Sequence, residues 1–287
     1  MAKKLYLWSK FYCREGLAVR IASLVSIERI SDTDGSGRRI SRIILIINMK
    51  DYSSDNPCVS AATSLASEAS YKAAGIDPKK VRNIIFDLGG VVIDLRREDA
   101  VAALQALGLE NADSLLGLYR QEEPFLGIET GRITVGEFFE TIRKQCPGAT
   151  DVEITEAFNR FLVGIPKERL QRLRQLREKG YRLYVLSNTN PVMYNSWIAE
   201  HFRQEGYTIN DYFDGIVCSF QELTCKPDPE IFSTVVRRYR LDPAETLMLD
   251  DSQANCESAR SIGLSALQIG KDPEAGMIAI TEPLCLR

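Results

Sequence analysis

A parallel α/β sheet covered by helices on both faces, with an all-helical insert after its first strand, is predicted by three features of this 287-residue chain. Apolar runs of strand length recur from residue 81 onward, separated by helical stretches of about ten to fifteen residues. Between the first and second of these runs, residues 97 to 163 carry only helical periodicity. The runs also end on acidic or polar residues, which a parallel sheet gathers at one rim, where ligands bind.

The first strand is the run Ile84-Ile85-Phe86, which closes on Asp87-Leu88-Gly89-Gly90 as a tight turn. The insert comes next, with apolar spacings Ala102, Leu104, Leu107, Leu109, then Phe138, Phe139, Ile142, then Phe158, Phe161, Leu162. A helix over 166–179 leads into a strand over 181–187, and a second helix into a strand over 214–218. A helix over 229–240 precedes a strand over 246–250, and a helix over 252–262 precedes a strand over 264–269. Such alternation implies right-handed βαβ units. The expected organisation is a core formed by 81–96 and 165–275, a helical cap over 97–164 and a C-terminal tail over 276–287.

Residues 1–80 read as a basic leader and linker without persistent structure. Residues 1–50 carry ten Lys/Arg against four Asp/Glu, a balance of +6 that leaves −9 for the other 237. Residues 51–75 are rich in Ser, Ala and Asn and keep no periodicity. Within the leader, Ile43-Ile44-Leu45-Ile46-Ile47 has the look of a strand. An organelle transit peptide is opposed by Glu15, Glu28, Asp32 and Asp34, and a natural start at Met49 is a further reading.

Composition narrows the function. With 45% hydrophobic and 26% charged residues and a net charge of −3, nothing steers the chain toward nucleic acid. No apolar run reaches the length of about 18 residues that a membrane helix requires. Seven scattered cysteines without a C-x-x-C pair suit reduced thiols in a cytoplasm. The expected partner is a small metabolite.

Three carboxylates stand directly after apolar strands: Asp87 after Asn83-Ile84-Ile85-Phe86, and Asp250 and Asp251 after Thr246-Leu247-Met248-Leu249. Brought to one rim they repel one another unless a cation neutralises them, and a hard divalent ion, Mg²⁺, suits oxygen donors. Singly, each Asp would equally suit a helix N-cap. Ser187-Asn188-Thr189 ends the next strand and opens a helix, an arrangement that binds anions or simply caps the helix. Lys226 sits in Cys225-Lys226-Pro227-Asp228-Pro229, where the prolines stiffen the backbone; taken alone, a Lys before Pro is usually solvated.

In this order D-x-G-G-V, L-S-N-T, K-P-D-P-E-I-F and L-D-D-S-Q-A-N resemble the four motifs of the haloacid-dehalogenase superfamily over about 190 residues. The insert is similar to the cap of its β-phosphoglucomutase-like and glucose-1-phosphate-phosphatase-like members. The resemblance implies a Rossmann-like three-layer sandwich and a Mg²⁺-dependent phosphomonoester hydrolase acting on a small phosphorylated metabolite, a sugar phosphate first. It also implies roles: Asp87 as a nucleophile that forms an aspartyl-phosphate, and Ser187, Asn188 and Lys226 as holders of the phosphoryl oxygens. Asp87, the Gly89 carbonyl and Asp251 would bind the metal, with Asp250 reaching it through water. Asn255 would steady the acidic loop, or lie on a helix surface.

The chain departs from the pattern at one position. Most phosphatases of this superfamily have a second Asp two residues after the nucleophile, as general acid and base; here that residue is Gly89. Losing such a group costs on the order of 10²- to 10⁴-fold in rate. Glu129, in the polar stretch Gly127-Ile128-Glu129-Thr130-Gly131-Arg132, could substitute from the cap, or belong to a solvated turn. Two other readings remain: a fold that binds without catalysis, and a 2-haloacid dehalogenase, which lacks the acidic pair of the fourth motif. The lone His201 reads as a surface residue.

Overall fold

The computed structural model describes residues 25–33, 39–47 and 70–285. The chain divides into two units, Met1–Ala66 and Ser67–Arg287. In the first, β1 (Val25–Thr33) and β2 (Arg39–Ile47) pair antiparallel, from Val25 opposite Ile47 to Thr33 opposite Arg39. Within the leader expected over 1–80, the described residues 25–33 and 39–47 are paired strands rather than structureless chain. The strand suspected at Ile43–Ile47 has a partner in Val25–Thr33, and the Asp34-Gly35 pair between the two strands is a turn signal. Most of the Ser/Ala/Asn-rich stretch, 51–69, lies outside the described residues.

The second unit is built on a five-stranded parallel sheet in the order β7-β6-β3-β8-β9. Its strands are β3 (Asn83–Phe86), β6 (Arg182–Ser187), β7 (Gly215–Cys218), β8 (Thr246–Asp250) and β9 (Ser265–Gln268). Alternate residues feed opposite faces, as the period of two requires. Ile84, Phe86, Leu183, Val185, Leu247 and Leu249 join one buried cluster. Ile85, Tyr184, Leu186, Val217 and Met248 join another, packed on Ile231, Phe232 and Val235 of helix Pro229–Tyr239. Burial on both faces explains why these strands read as unbroken apolar runs.

The insert carries helices Arg97–Ala106, Ala112–Leu115, Phe125–Glu129, Val135–Gln145 and Asp151–Asn159. Capping boxes at Thr134/Glu137 and Thr150/Glu153 start the last two. It is not wholly helical, as the sequence suggested. β4 (Asp94–Leu95) and β5 (Leu162–Gly164), its entry and exit, pair antiparallel, and Arg96 N–H donates to the Phe161 carbonyl at 2.9 Å. Strands of two and three residues are too short for any periodicity to register, so Phe161 and Leu162 read as a continuation of the preceding helix.

The C-terminal tail expected over 276–287 is helical as far as Cys285: Pro273–Cys285 is a helix with Met277, Ile280, Thr281 and Leu284 buried. That i, i+3, i+4, i+7 stripe was hidden by Pro283 within the helix. The Tyr71 hydroxyl donates to the Ile280 carbonyl at 3.0 Å and fastens the helix to the chain before β3.

The cap core rests on three phenyl rings, with Phe125 edge-on to Phe138 and Phe158 at 5.4 and 5.1 Å and Phe138 stacked on Phe158 at 5.6 Å. Phe138 is fully buried. Phe138→Ala should therefore lower unfolding stability by about 3–5 kcal/mol in denaturant titration, and a cost below about 1 kcal/mol would show that the cap does not rest on this cluster.

Candidate active site

Register brings the predicted residues together. Phe86 lies opposite both Val185 and Leu249, so the chain leaves β3, β6 and β8 at one level. Asp87 extends the ladder by donating its N–H to the Leu249 carbonyl at 2.9 Å. The carboxylates of Asp87, Asp250 and Asp251 come within 4.8 Å of one another.

Lys226 binds two of them, its ammonium lying 2.8 Å from Asp87 Oδ2 and 2.7 Å from Asp250 Oδ2. Its loop is held by Asn188, whose Oδ1 accepts from Lys226 N–H at 2.8 Å while its Nδ2 donates to the Lys226 carbonyl at 2.9 Å. Asn188 was expected to hold phosphoryl oxygens, but both ends of its side-chain amide are committed to the Lys226 backbone. Ser187 is buried as the last residue of β6.

Asp250 is held by three protein donors. Besides Lys226, it accepts at Oδ1 from Ser252 N–H and from Asn255 Nδ2, both at 2.9 Å. Asn255 is thus an inward-facing support of the acidic loop rather than a helix-surface residue. Tyr119 of the cap lies close enough to Asp251 to oppose the rise of its carboxyl. Gly90 makes room for it: a Cβ there would lie 2.4 Å from Asp251 Oδ2, and its φ of +68° is one that glycine adopts without strain.

Burial has the largest influence on Asp87. With the neighbouring Asp250 and Asp251 charges it outweighs the pull of Lys226 and raises the carboxyl to about 7. Burial likewise works against the Lys226 charge, yet Asp250 and Asp87 hold the ammonium above its ordinary value. One cation shared between two carboxylates does not offset three. Asp251 is raised by burial and by Asp250.

The donor set fits a hard divalent ion, since three clustered carboxylates supply oxygen and a negative excess. The turn after Asp87 is closed by Gly90 N–H to the Ile93 carbonyl and Ile93 N–H to the Leu88 carbonyl, bonds that do not use the Gly89 carbonyl. At Gly89 itself a Cβ would meet Leu95 Cδ1 at 3.0 Å. The place of the usual second Asp is thus crowded by an apolar side chain from β4.

Glu129 ends helix Phe125–Glu129 and reaches the same region. Burial, opposed by Lys226, raises its carboxyl to about 7. Its backbone carbonyl accepts from Ser219 Oγ at 2.7 Å. Ser219 and Tyr119 were both missed from sequence. Ser219 directly succeeds the apolar run ending in Cys218, the same strand-end signal that marked Ser187; Tyr119 had no signal beyond an exposed aromatic in a turn. His201 stands outside the site, partly buried, with its ring stacked on Trp197 at 3.5 Å.

Residues 81–263 match the family of haloacid dehalogenase-like hydrolases. The chain is similar to the D-ribitol-5-phosphate phosphatase of Bacteroides thetaiotaomicron, 35% identical over 197 residues that cover 68% of this chain and 93% of the relative. A solved family enzyme from the same organism, in complex with magnesium and inorganic phosphate, superposes with a TM-score of 0.61 at 36% identity, over 66% of this chain and 93% of the other. A HAD-like family hydrolase from Porphyromonas gingivalis gives 0.60 at 32% identity, over 66% and 91%.

A carboxyl at about 7 when folded, against an ordinary 3.8, favours the fold most below pH 4 and loses that contribution as pH rises through 7. In EDTA, Asp87→Asn should gain stability relative to wild type between pH 4 and pH 8, by at most about 4 kcal/mol. Denaturant titrations at both pH values measure this; an equal difference at the two would refute it.

Proposed function

The chain belongs to the haloacid dehalogenase-like hydrolase family, and from that premise we propose that it is a Mg²⁺-dependent phosphatase of a small phosphorylated polyol or sugar, working through an aspartyl-phosphate. The observation that carries this reading is the convergence of Asp87, Asp250 and Asp251 around Lys226. The D-ribitol-5-phosphate relative supports the substrate class, and the magnesium and phosphate in the solved family enzyme support the cofactor.

Asp87 Oδ attacks phosphorus in line with the ester oxygen. Ser187 Oγ, the Asn188 backbone N–H and the Lys226 ammonium hold the phosphoryl oxygens, where fixed donors lower the barrier without reorganising. Asp87, the Gly89 carbonyl and Asp251 would bind Mg²⁺, with Asp250 as an outer support. Bound there, the ion neutralises charge on the carboxylates and on the transferring group. The catalytic core is assigned to 81–96 and 165–275, and substrate selection to the insert 97–164. No helix of the described residues is long and apolar enough to cross a membrane. Cys146, Cys218, Cys225, Cys256 and Cys285 are free thiols, which favours the reducing cytoplasm.

A fold that binds without catalysis is the reading that Gly89 favours, and turnover separates the two. Phosphate release from D-ribitol 5-phosphate, acetyl phosphate and a sugar-phosphate panel should require Mg²⁺, stop in EDTA and fall at least about 10³-fold in Asp87→Asn. Silence of the wild type across that panel would leave the binding protein.

A further inference from the structure

Resting on the phosphatase reading above, we propose that Glu129 supplies the proton to the leaving oxygen and takes one from the attacking water, in place of a residue at position 89.

Position 89 has no side chain to offer, and Leu95 Cδ1 lies 3.0 Å from where its Cβ would stand. The nucleophile rises from the end of β3, so an in-line leaving group points away from the sheet and toward the cap. Glu129 is a cap residue whose backbone is pinned against this floor. Ser219 bridges the two segments from below: its one hydroxyl proton faces the Glu129 carbonyl at 2.7 Å and the Thr189 carbonyl at 2.9 Å, and its Oγ accepts from Thr189 N–H at 3.0 Å. One hydroxyl thus joins Glu129 to the loop that holds Ser187 and Asn188. Gly131 presses the same turn onto the core: at φ +67° its Cβ would lie 2.1 Å from the Phe220 carbonyl, so only glycine permits the approach. With its backbone tied at both sides, Glu129 stands where the Lys226 charge acts on its carboxyl.

The charge state suits the role. Burial raises the Glu129 carboxyl to about 7, so near neutral pH it can both give and accept a proton. The ionisable groups facing it are Lys226 and Cys225, and Arg132 and Asp228 act on that thiol in turn.

In the first step the Asp87 Oδ–P bond forms and the P–O ester bond breaks, its electron pair going to the alkoxide oxygen. That oxygen takes the Glu129 proton and departs as an alcohol. In the second step water attacks phosphorus and gives a proton to the Glu129 carboxylate, while the P–O bond to Asp87 breaks. Inorganic phosphate leaves, with Asp87 ionised and Glu129 protonated once more.

The test compares kcat/KM of wild type and Glu129→Gln, with Mg²⁺, on acetyl phosphate, p-nitrophenyl phosphate and D-ribitol 5-phosphate. Protonation matters most for the poorest leaving group. Glu129→Gln should lose about 10²- to 10⁴-fold on the alkyl ester, at least about 10²-fold more than on acetyl phosphate, and the alkaline limb of its pH profile should vanish. Equal loss on all three substrates, a rise in KM alone, or no loss would overturn the assignment while leaving the phosphatase standing. A wild type silent on all three would end both.

Discussion

A single buried ammonium shared by two carboxylates organises this molecule. Lys226 is 2% exposed and lies within 2.8 Å of Asp87 and Asp250, so neither its charge nor theirs has bulk water to relax into. Such a group persists only where the surroundings supply its partners at fixed geometry. β3 and β8 end in register to bring the two carboxylates side by side. Asn188, just past the end of β6, grips the Lys226 backbone by both its N–H and its carbonyl. Three strands and one loop are thereby committed to one point.

This commitment explains how much could be read in advance. The sheet was legible because strands buried on both faces must be apolar throughout, and the polar residues at their carboxyl ends then mark the ligand-binding rim. Asp87, Ser187, Asp250 and Asp251 are all such residues. Lys226 was legible through its prolines and its place in the fourfold order of motifs. The use of Asn188 was not, because an amide that holds a neighbouring loop and one that holds a phosphate look alike in sequence. Long-range partners were invisible for the same reason: nothing near Glu129 in the chain announces Ser219, which is 90 residues away. The β4–β5 ribbon and the C-terminal helix failed on length and on Pro283, where local rules mislead.

The acidic cluster also shows where stability yields to function. Apolar residues packed at these strand ends would leave no carboxyl lifted to about 7 and no negative excess. The protein keeps both, and supports them with donors that have no other evident use, notably Asn255 and Ser252 N–H on Asp250. A supported but unneutralised cluster is what a site requires if a cation and a phosphoryl group are to complete it, since a fully satisfied one would have no further affinity for either.

Leu95 gives the cap a part in this arrangement. It sits on β4, the first strand of the ribbon through which the chain enters and leaves the insert, and its Cδ1 lies 3.0 Å from where a Cβ at Gly89 would stand, two residues after Asp87. A carboxyl at position 89 would belong to the core and keep its place whatever the cap did. A carboxyl on the Phe125–Glu129 helix belongs to the cap, and the backbone that carries it meets the core through Ser219 and the close approach of Gly131 to Phe220. On the proposal that Glu129 is the acid, the proton would come from the cap rather than the core, and the chemistry would depend on these contacts holding the Phe125–Glu129 helix against the sheet.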